Sequence, residues 1–271
     1  MRMKKKDFRS KYSISAADSV VYPFIYKIWH DSGDLPDVKL KCIIDFCAYA
    51  GVKEGAARTA ISRLKRTGAL NSPENGKGAY SPNPAFEHRV LQVKNSPVEK
   101  GFTVAVFAFS SDKEKERYKI RSILAATGFT MLAQNTYINI RGRKDELLLK
   151  INREGLGKNI FVFECEEDLD GNTMARLTEI WKIQERMDYL NGFYADLQEY
   201  AVPEGLSGKE AFHMLGYAGT VFTVMFQRTE PPIPEAYLPE NYPLKNITDF
   251  LLRKQKETIK LTREYFIKAN E

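Results

Sequence analysis

The sequence predicts a multidomain α+β fold, and three observations along the chain lead to this prediction. A basic helical segment is followed at once by a hairpin signal between residues 36 and 81. Strand and helix patterns then alternate between residues 100 and 164, and from about residue 171 the pattern is helical apart from one proline-rich stretch. We therefore predict domains over residues 1–95, 96–170 and 171–271.

The first domain is predicted to be a winged helix-turn-helix. Ser15 to Trp29 forms its first helix, and Pro36-Asp37 begins a second helix that Gly51 closes. A short turn then leads to a third helix, which is the helix-turn-helix order. Asn75-Gly76 is a strong hairpin signal, so a β-hairpin wing follows. Residues 1–14 are polar and basic and are expected to form a flexible arm.

The third helix carries the predicted DNA contacts. Each residue of a helix turns by about 100°, so Ala57, Ala60, Ile61 and Leu64 share one apolar face. Every charge on the remaining surface from residue 58 to residue 66 is positive. Together with the basic hairpin tip, this surface predicts the following DNA-binding residues: Arg58, Thr59, Ser62, Arg63, Lys65, Arg66, Asn75 and Lys77.

The excess positive charge of the chain is confined to this first domain. Residues 1–95 contain 17 Lys and Arg against 9 Asp and Glu, whereas the remaining residues contain 24 basic and 26 acidic side chains. Such segregation is typical of a nucleic-acid-binding domain joined to domains with other roles. The expected partner is double-stranded DNA.

The second domain is predicted to be ferredoxin-like. Its order is βαββαβ. The strands and helices are predicted at Phe102–Phe109, Asp112–Thr127, Phe129–Ile140 (two strands), Asp145–Asn152 and Asn159–Glu164. The third domain is predicted to be α-helical, with helices at Met174–Tyr200, Lys209–Arg228 and from Leu244 onward. Five prolines between residues 231 and 243 predict an extended crossing between its last two helices.

Composition excludes several classes of protein. The three cysteines form no CxxC pair, and the start of the chain lacks the apolar core of a signal peptide, so we expect a cytoplasmic protein. The longest apolar run, residues 211–226, contains His213 and is too short for a membrane helix, so no membrane association is expected. No phosphate-binding glycine loop occurs, and we predict no cofactor, no metal site and no catalytic residue.

The chain resembles the PaaX family of transcriptional repressors at three places. They are RTAISRLKRTGAL from Arg58 to Leu70 with GAYS after it, the strand Phe102–Phe109 with Gly128-Phe129, and the proline-rich PPIPEAYLPENYP. The resemblance implies a homodimeric repressor that an acyl- or aryl-CoA thioester releases from DNA. The chain is identified as a diverged member, because AFSS replaces an FDxPE-like turn and Tyr242 replaces a Trp.

An effector pocket is expected near the C-terminal helices, where Trp181, Tyr217 and Tyr237 are candidate lining residues, although aromatic residues on apolar helix faces are usually core. The main alternative function is a metal-dependent nuclease built on the ferredoxin-like domain. It would require clustered carboxylates, whereas the acidic residues between Glu164 and Asp170 are interpreted as a solvated linker. A further alternative is a winged domain that binds protein instead of DNA.

Overall fold

The computed structural model describes residues 5–31, 33–71, 79–84, 86, 101–108, 113–140, 144–165, 169–201, 205–227 and 238–271. Helices and two antiparallel sheets confirm the α+β class. The chain forms two compact units. The first unit contains Met1–Ser96, Tyr189–Arg228 and Pro243–Glu271, and the second contains Pro97–Asp188 and Thr229–Tyr242. The three predicted domain ranges stay a prediction.

In the described part of its N-terminal segment, the first unit has four helices of at least seven residues and three short strands. The helices are α1 (Lys5–Lys11), α2 (Ala16–His30), α3 (Leu40–Tyr49) and α4 (Glu54–Arg66). The strands are β1 (Val38–Lys39), β2 (Leu70–Asn71) and β3 (Ala79–Pro82). The strands form an antiparallel sheet in the order β1-β3-β2. The two strands predicted on either side of the hairpin turn therefore pair with each other.

Two expectations for this segment were wrong. Residues 5–14 are not a flexible arm, because Phe8 and Tyr12 of this segment are 0% and 1% exposed. α3 begins at Leu40 and not at Pro36, because the residues before it form strand β1. α2 continues through Pro23, whose neighbours Val20 and Phe24 are fully buried and hold the helix in the core.

The second unit contains the elements that the sequence predicted between residues 100 and 165. They are β4 (Phe102–Phe107), α5 (Glu114–Ala126), β5 (Thr130–Ala133), β6 (Thr136–Asn139), α6 (Lys144–Arg153) and β7 (Ile160–Cys165). The sheet order is β5-β6-β4-β7, and every neighbouring pair is antiparallel. One face of the sheet packs in a core with both helices, through residues that include Ala105, Phe107, Ile120, Leu124 and Leu147.

The helix predicted from Met174 to Tyr200 is two helices. They are α7 (Gly171–Ile180) and α8 (Ile183–Tyr200). Lys182 between them has φ of 52°, which a continuous α-helix does not allow. The chain continues with α9 (Gly208–Phe222), a π-helical turn (Thr223–Gln227) and α10 (Leu244–Asn270). Most of the proline-rich crossing lies outside the described residues.

Aromatic side chains from both ends of the chain form the core of the first unit. Phe8 of α1 stacks on Tyr200 of α8 with ring centroids 4.1 Å apart. α9 approaches α2 so closely that a Cβ atom at Gly216 would lie 2.2 Å from Cε1 of Tyr22. The helices near the C-terminus therefore pack with the N-terminal helices in a single core.

Within the described ranges, every helix is too short or too polar to cross a lipid bilayer.

Candidate nucleic-acid interface

α4 presents one apolar face to the core and a polar face to solvent, as its sequence predicts. Ala57 and Ile61 are 0% and 3% exposed, and Ala60 and Leu64 are half-buried. All six predicted contact residues on this helix are exposed: Arg58, Thr59, Ser62, Arg63, Lys65 and Arg66. We refer to these six residues as the basic face. All six lie on the solvent-exposed side of α4, and their contact with DNA stays a prediction.

Arg58 is held at the start of this surface by an acidic residue one turn earlier. Its Nε donates to Oε1 of Glu54 at 2.8 Å, and its terminal nitrogen lies 2.7 Å from the same oxygen. Both side chains are more than half exposed. An exposed ion pair between residues i and i+4 contributes only about 0.3–0.5 kcal/mol, so Arg58 can exchange this partner for another acceptor.

The other members of the basic face have few partners. The hydroxyl of Thr59 donates to the carbonyl of Gly55 at 2.9 Å, and the ammonium of Lys65 lies 6.0 Å from the ring centroid of Tyr80 on β3. Among the described residues, Arg63 and Arg66 have no carboxylate partner. Two exposed guanidinium groups on one surface suit a polyanion such as a phosphate backbone.

The turn before α4 depends on a glycine. Gly51 has φ of 80°, and the N–H of Val52, the next residue, donates to the carbonyl of Cys47 at 2.8 Å. This closes α3 and starts α4 within a few residues. The residue that caps α4, Lys53, accepts no hydrogen bond through its side chain, so the first amide groups of the helix depend on other acceptors.

The predicted wing-tip residues Asn75 and Lys77 lie outside the described residues. The strands on either side of it pair, with Leu70 opposite Pro82 and Asn71 opposite Ser81.

The predicted effector residues are core residues of two different units. In the second unit, Trp181 is 4% exposed, and its Nε1 donates to Oγ1 of Thr130 at 2.8 Å. In the first unit, Tyr217 is fully buried and donates to the carbonyl of Tyr12, and its burial raises the pKa of its hydroxyl to about 12. Tyr237 lies outside the described residues. Each of the two described aromatics therefore has a structural role in its own unit.

A depression of about 500 Å³ lies in the second unit. Apart from Gly155 and Leu156, polar side chains line it: Lys113, Lys115, Glu116, Lys119, Glu154, Lys158 and Asn159. Its four lysines offer ammonium groups to an anion.

The described acidic residues between Glu164 and Asp170 have structural roles. Asp170 caps α7, because its carboxylate accepts from the amides of Asn172 and Thr173 at 2.9 and 3.0 Å. Hydrogen bonds from Thr173 lower the pKa of Asp170. Glu164 lies 3.7 Å from Lys144, and residues 166–168 are not described. In the described part of the chain, no three His, Cys, Asp or Glu side chains are grouped so as to hold a metal ion.

His213 is buried in the first unit. It is 4% exposed, and Nε2 lies 3.5 Å from the hydroxyl of Tyr265. Burial, aided by nearby Lys209, lowers the pKa of His213 to about 4, while Asp45 opposes this shift. The imidazole is therefore neutral at physiological pH.

One apolar surface was missed by the sequence analysis. Phe161 and Phe163 on β7 are 58% and 59% exposed. They pair with Val106 and Val104 of β4, so all four side chains lie on the same face of the sheet. The sequence Asn159–Glu164 could have predicted this surface. Side chains alternate along a strand, so Ile160 and Val162 lie on one face, and Phe161 and Phe163 lie on the other.

Comparisons with known proteins support the order of these elements. Residues 26–81 match the family model described as PaaX-like protein, and residues 95–178 match the model described as PaaX protein central Cas2-like domain. No curated protein sequence matches the chain. A solved structure, described as uncharacterized protein Rv0674 from Mycobacterium tuberculosis, is similar with a TM-score of 0.55 and 14% identity. The similarity covers 94% of this chain and 99% of that chain, and at this identity it concerns the fold alone.

Proposed function

Because the chain belongs to the PaaX family, we propose that it is a sequence-specific regulator of transcription that binds double-stranded DNA. The DNA-binding domain is a winged helix-turn-helix made of α2, α3, α4 and the sheet β1-β3-β2. The observation that carries this proposal is the basic face of α4, which is solvent-exposed and contains no acidic residue. An exposed helix face of this length and charge fits the major groove.

The residues of the basic face have different roles in this proposal. Arg58, Thr59 and Ser62 lie towards the start of α4, the end from which base edges are usually read. Arg58 leaves Glu54 and donates to O6 and N7 of a guanine. The cations near the end of α4, together with the wing residues Asn75 and Lys77, contact phosphates, which position the protein without specifying sequence.

The experiment that tests this function starts with selection of bound fragments from random duplex DNA. Binding to the selected site is then titrated over a range of salt concentrations. Lys77→Ala should lower the slope of log affinity against log salt by about one and weaken all sequences alike. Arg58→Ala should cost about 1–3 kcal/mol at one base pair and relax the preference there.

Arg121→Ala, which removes an exposed arginine from α5, is the matched control and should change neither quantity. Failure to select any sequence, or wild-type binding by both Arg58→Ala and Lys77→Ala, would contradict the proposal.

The proposal includes a homodimer formed through the second unit. The strand order β5-β6-β4-β7, with a helix after the first strand and another after the third, corresponds to the ferredoxin-like arrangement. β7 is an edge strand, and it carries Phe161 and Phe163 in exposed positions. Exposed apolar side chains on an open edge favour association, and a two-fold axis would bring identical surfaces together.

Sedimentation tests this dimer directly. The double variant Phe161→Glu/Phe163→Glu should sediment as a monomer, whereas Met131→Glu on the opposite edge strand, where the side chain is 52% exposed, should remain a dimer. If the wild type is monomeric, or if the double variant still dimerises, this part of the proposal is wrong.

An acyl- or aryl-CoA thioester is the proposed effector that releases the DNA, and family membership is its support. The test compares DNA retention with a CoA thioester, with free CoA and with the free acid. Release by the thioester alone is expected, since a ligand shifts an equilibrium only through different affinities for two states. Equal retention in all three would contradict this effector class.

A metal-dependent nuclease is the second candidate function. The description of the central family model as Cas2-like and the ferredoxin-like strand order favour it. Incubation of purified protein with duplex DNA and Mg²⁺ separates the two candidates. Cleavage that a chelator abolishes would support the nuclease. Binding of the DNA without cleavage would support the regulator.

A further inference from the structure

The start of α3 is held by an amide side chain from the end of α10. Oδ1 of Asn270 accepts from the backbone N–H of Lys39 at 2.7 Å, and Nδ2 donates to the carbonyl of Phe266 at 2.8 Å. Asn270 is 4% exposed. Lys39 is the residue that caps α3, and its own side chain makes no capping hydrogen bond. Asn270 therefore supplies a hydrogen-bond acceptor at this helix start that the local sequence lacks.

The same hydrogen bond lies on the outer edge of the three-stranded sheet. Lys39 belongs to β1, which is an edge strand, and it pairs with Ala79 of β3. β3 is the strand that leads out of the predicted wing. Asn270 thus satisfies an amide that an edge strand otherwise exposes, and it ties the base of the wing to α10.

The end of α3 is held by a residue of α1. Arg9 donates to the carbonyl of Tyr49, and its guanidinium carbon lies 4.6 Å from the centroid of the Tyr49 ring. The hydroxyl of Tyr49 is 2.7 Å from that of Tyr200 on α8. Arg9 therefore satisfies a carbonyl in the last turn of α3, directly before the glycine turn that leads to α4.

These contacts bear on the basic face because α4 packs against α2, α3 and β2. Its direction relative to the wing is consequently set by α3 and the sheet. We propose that Asn270 and Arg9 are positioning residues for DNA binding, which clamp α3 at both ends and fix the angle between α4 and the wing. This inference rests on the proposed function.

The experiment replaces each residue and measures both free protein and DNA binding. Asn270→Ala removes the acceptor, and Arg9→Met removes the donor while keeping much of the aliphatic stem. Lys268→Ala, an exposed change on the same helix as Asn270, is the matched control. Hydrogen exchange of the free protein should be at least about tenfold faster at Lys39 in Asn270→Ala, and faster in α4 in both variants.

DNA affinity, measured at a temperature where thermal unfolding shows each variant to be folded, should fall by about tenfold in each variant and stay unchanged in Lys268→Ala. In the Asn270→Ala background, Lys77→Ala should cost less than half of what it costs in the wild type, because the wing is already displaced. A purely stabilising role would lower the melting temperature without this coupling.

The outcomes separate the inference from the function. Wild-type exchange in α4 and wild-type affinity in the folded variants would overturn the inference, as would additive effects of Asn270→Ala and Lys77→Ala. If one variant fails to fold, the other decides the result. If the wild type selects no DNA but exchange in α4 still rises, the clamp stands and the proposed function fails.

Discussion

α4 and α5 are helices of equal length in different units, and they differ in how acidic residues are placed among their positive charges. Each has 13 residues, begins after a lysine that makes no side-chain cap and buries two residues. On α5, Lys119 is paired with Glu154, and Glu116 of the same helix lies 3.8 Å from Lys113. Net charge alone therefore does not distinguish a DNA-binding helix from a solvated one. The distinguishing feature is the run from Arg58 to Arg66 on α4, which contains four cations and no acidic residue, whereas Glu114 and Glu116 lie among the cations of α5.

The largest effects should come from the buried anchors of the two helices. Ile61 is 3% exposed and Ile120 is 0% exposed, so Ile61→Ala and Ile120→Ala should each cost about 2–5 kcal/mol of stability in their own unit. Only Ile61→Ala should also weaken DNA binding, because it loosens α4. Hydrogen exchange and binding titrations measure these effects. A loss of DNA affinity in Ile120→Ala as large as that in Ile61→Ala would contradict a specific role of α4 in DNA binding.

The next largest effect should be a difference in how acid changes the stability of the two units. His213 has a folded pKa of about 4 against an ordinary value of 6.5, so the unfolded chain binds a proton first as the pH falls. Its contribution to the first unit is complete above pH 6.5 and is lost towards pH 4, by about 3 kcal/mol in total. The second unit contains no histidine.

Unfolding of each unit, followed by hydrogen exchange from pH 7 to pH 4.5, measures this difference. The His213→Gln variant should lose most of the extra pH dependence of the first unit. An equal pH dependence of the first unit in the wild type and in this variant would show that other groups cause it.

Removal of positive charge from α4 or from α5 should change DNA binding to different extents. The triple variant Arg63→Ala/Lys65→Ala/Arg66→Ala should lower the salt slope by about three and the affinity by on the order of 100-fold at physiological salt. The triple variant Lys115→Ala/Lys119→Ala/Arg121→Ala on α5 removes the same charge and should have little effect. Equal losses in the two variants would mean that total charge, and not the basic face, drives binding.

The smallest effect concerns the carboxylate that pairs with Arg58. Glu54→Gln removes a competitor of the DNA, and the exposed ion pair is worth about 0.3–0.5 kcal/mol. Affinity should therefore rise by about twofold at most, as measured by titration against the selected site. A fall in affinity would indicate that Glu54 holds Arg58 in its binding conformation.

Local pattern predicted much of the fold, and the missed features depend on distant contacts. The strands and helices between residues 102 and 165 follow from periodicity and from glycine turns, and the exposed side of α4 follows from its apolar spacing. β1 was missed because two residues carry no periodic signal, and it exists only through pairing with β3. The hydrogen bond between Lys39 and Asn270 joins residues 231 positions apart, so no local pattern contains it.

The close approach of Gly216 to Tyr22 has an evolutionary consequence. Since a Cβ atom at position 216 would overlap the Tyr22 ring, these two positions cannot vary independently. Related sequences with a larger residue in place of the glycine should carry a smaller side chain in place of the tyrosine. A lineage can therefore change this helix crossing only by paired substitutions, which slows divergence at the junction of α2 and α9 relative to the solvent-exposed surface.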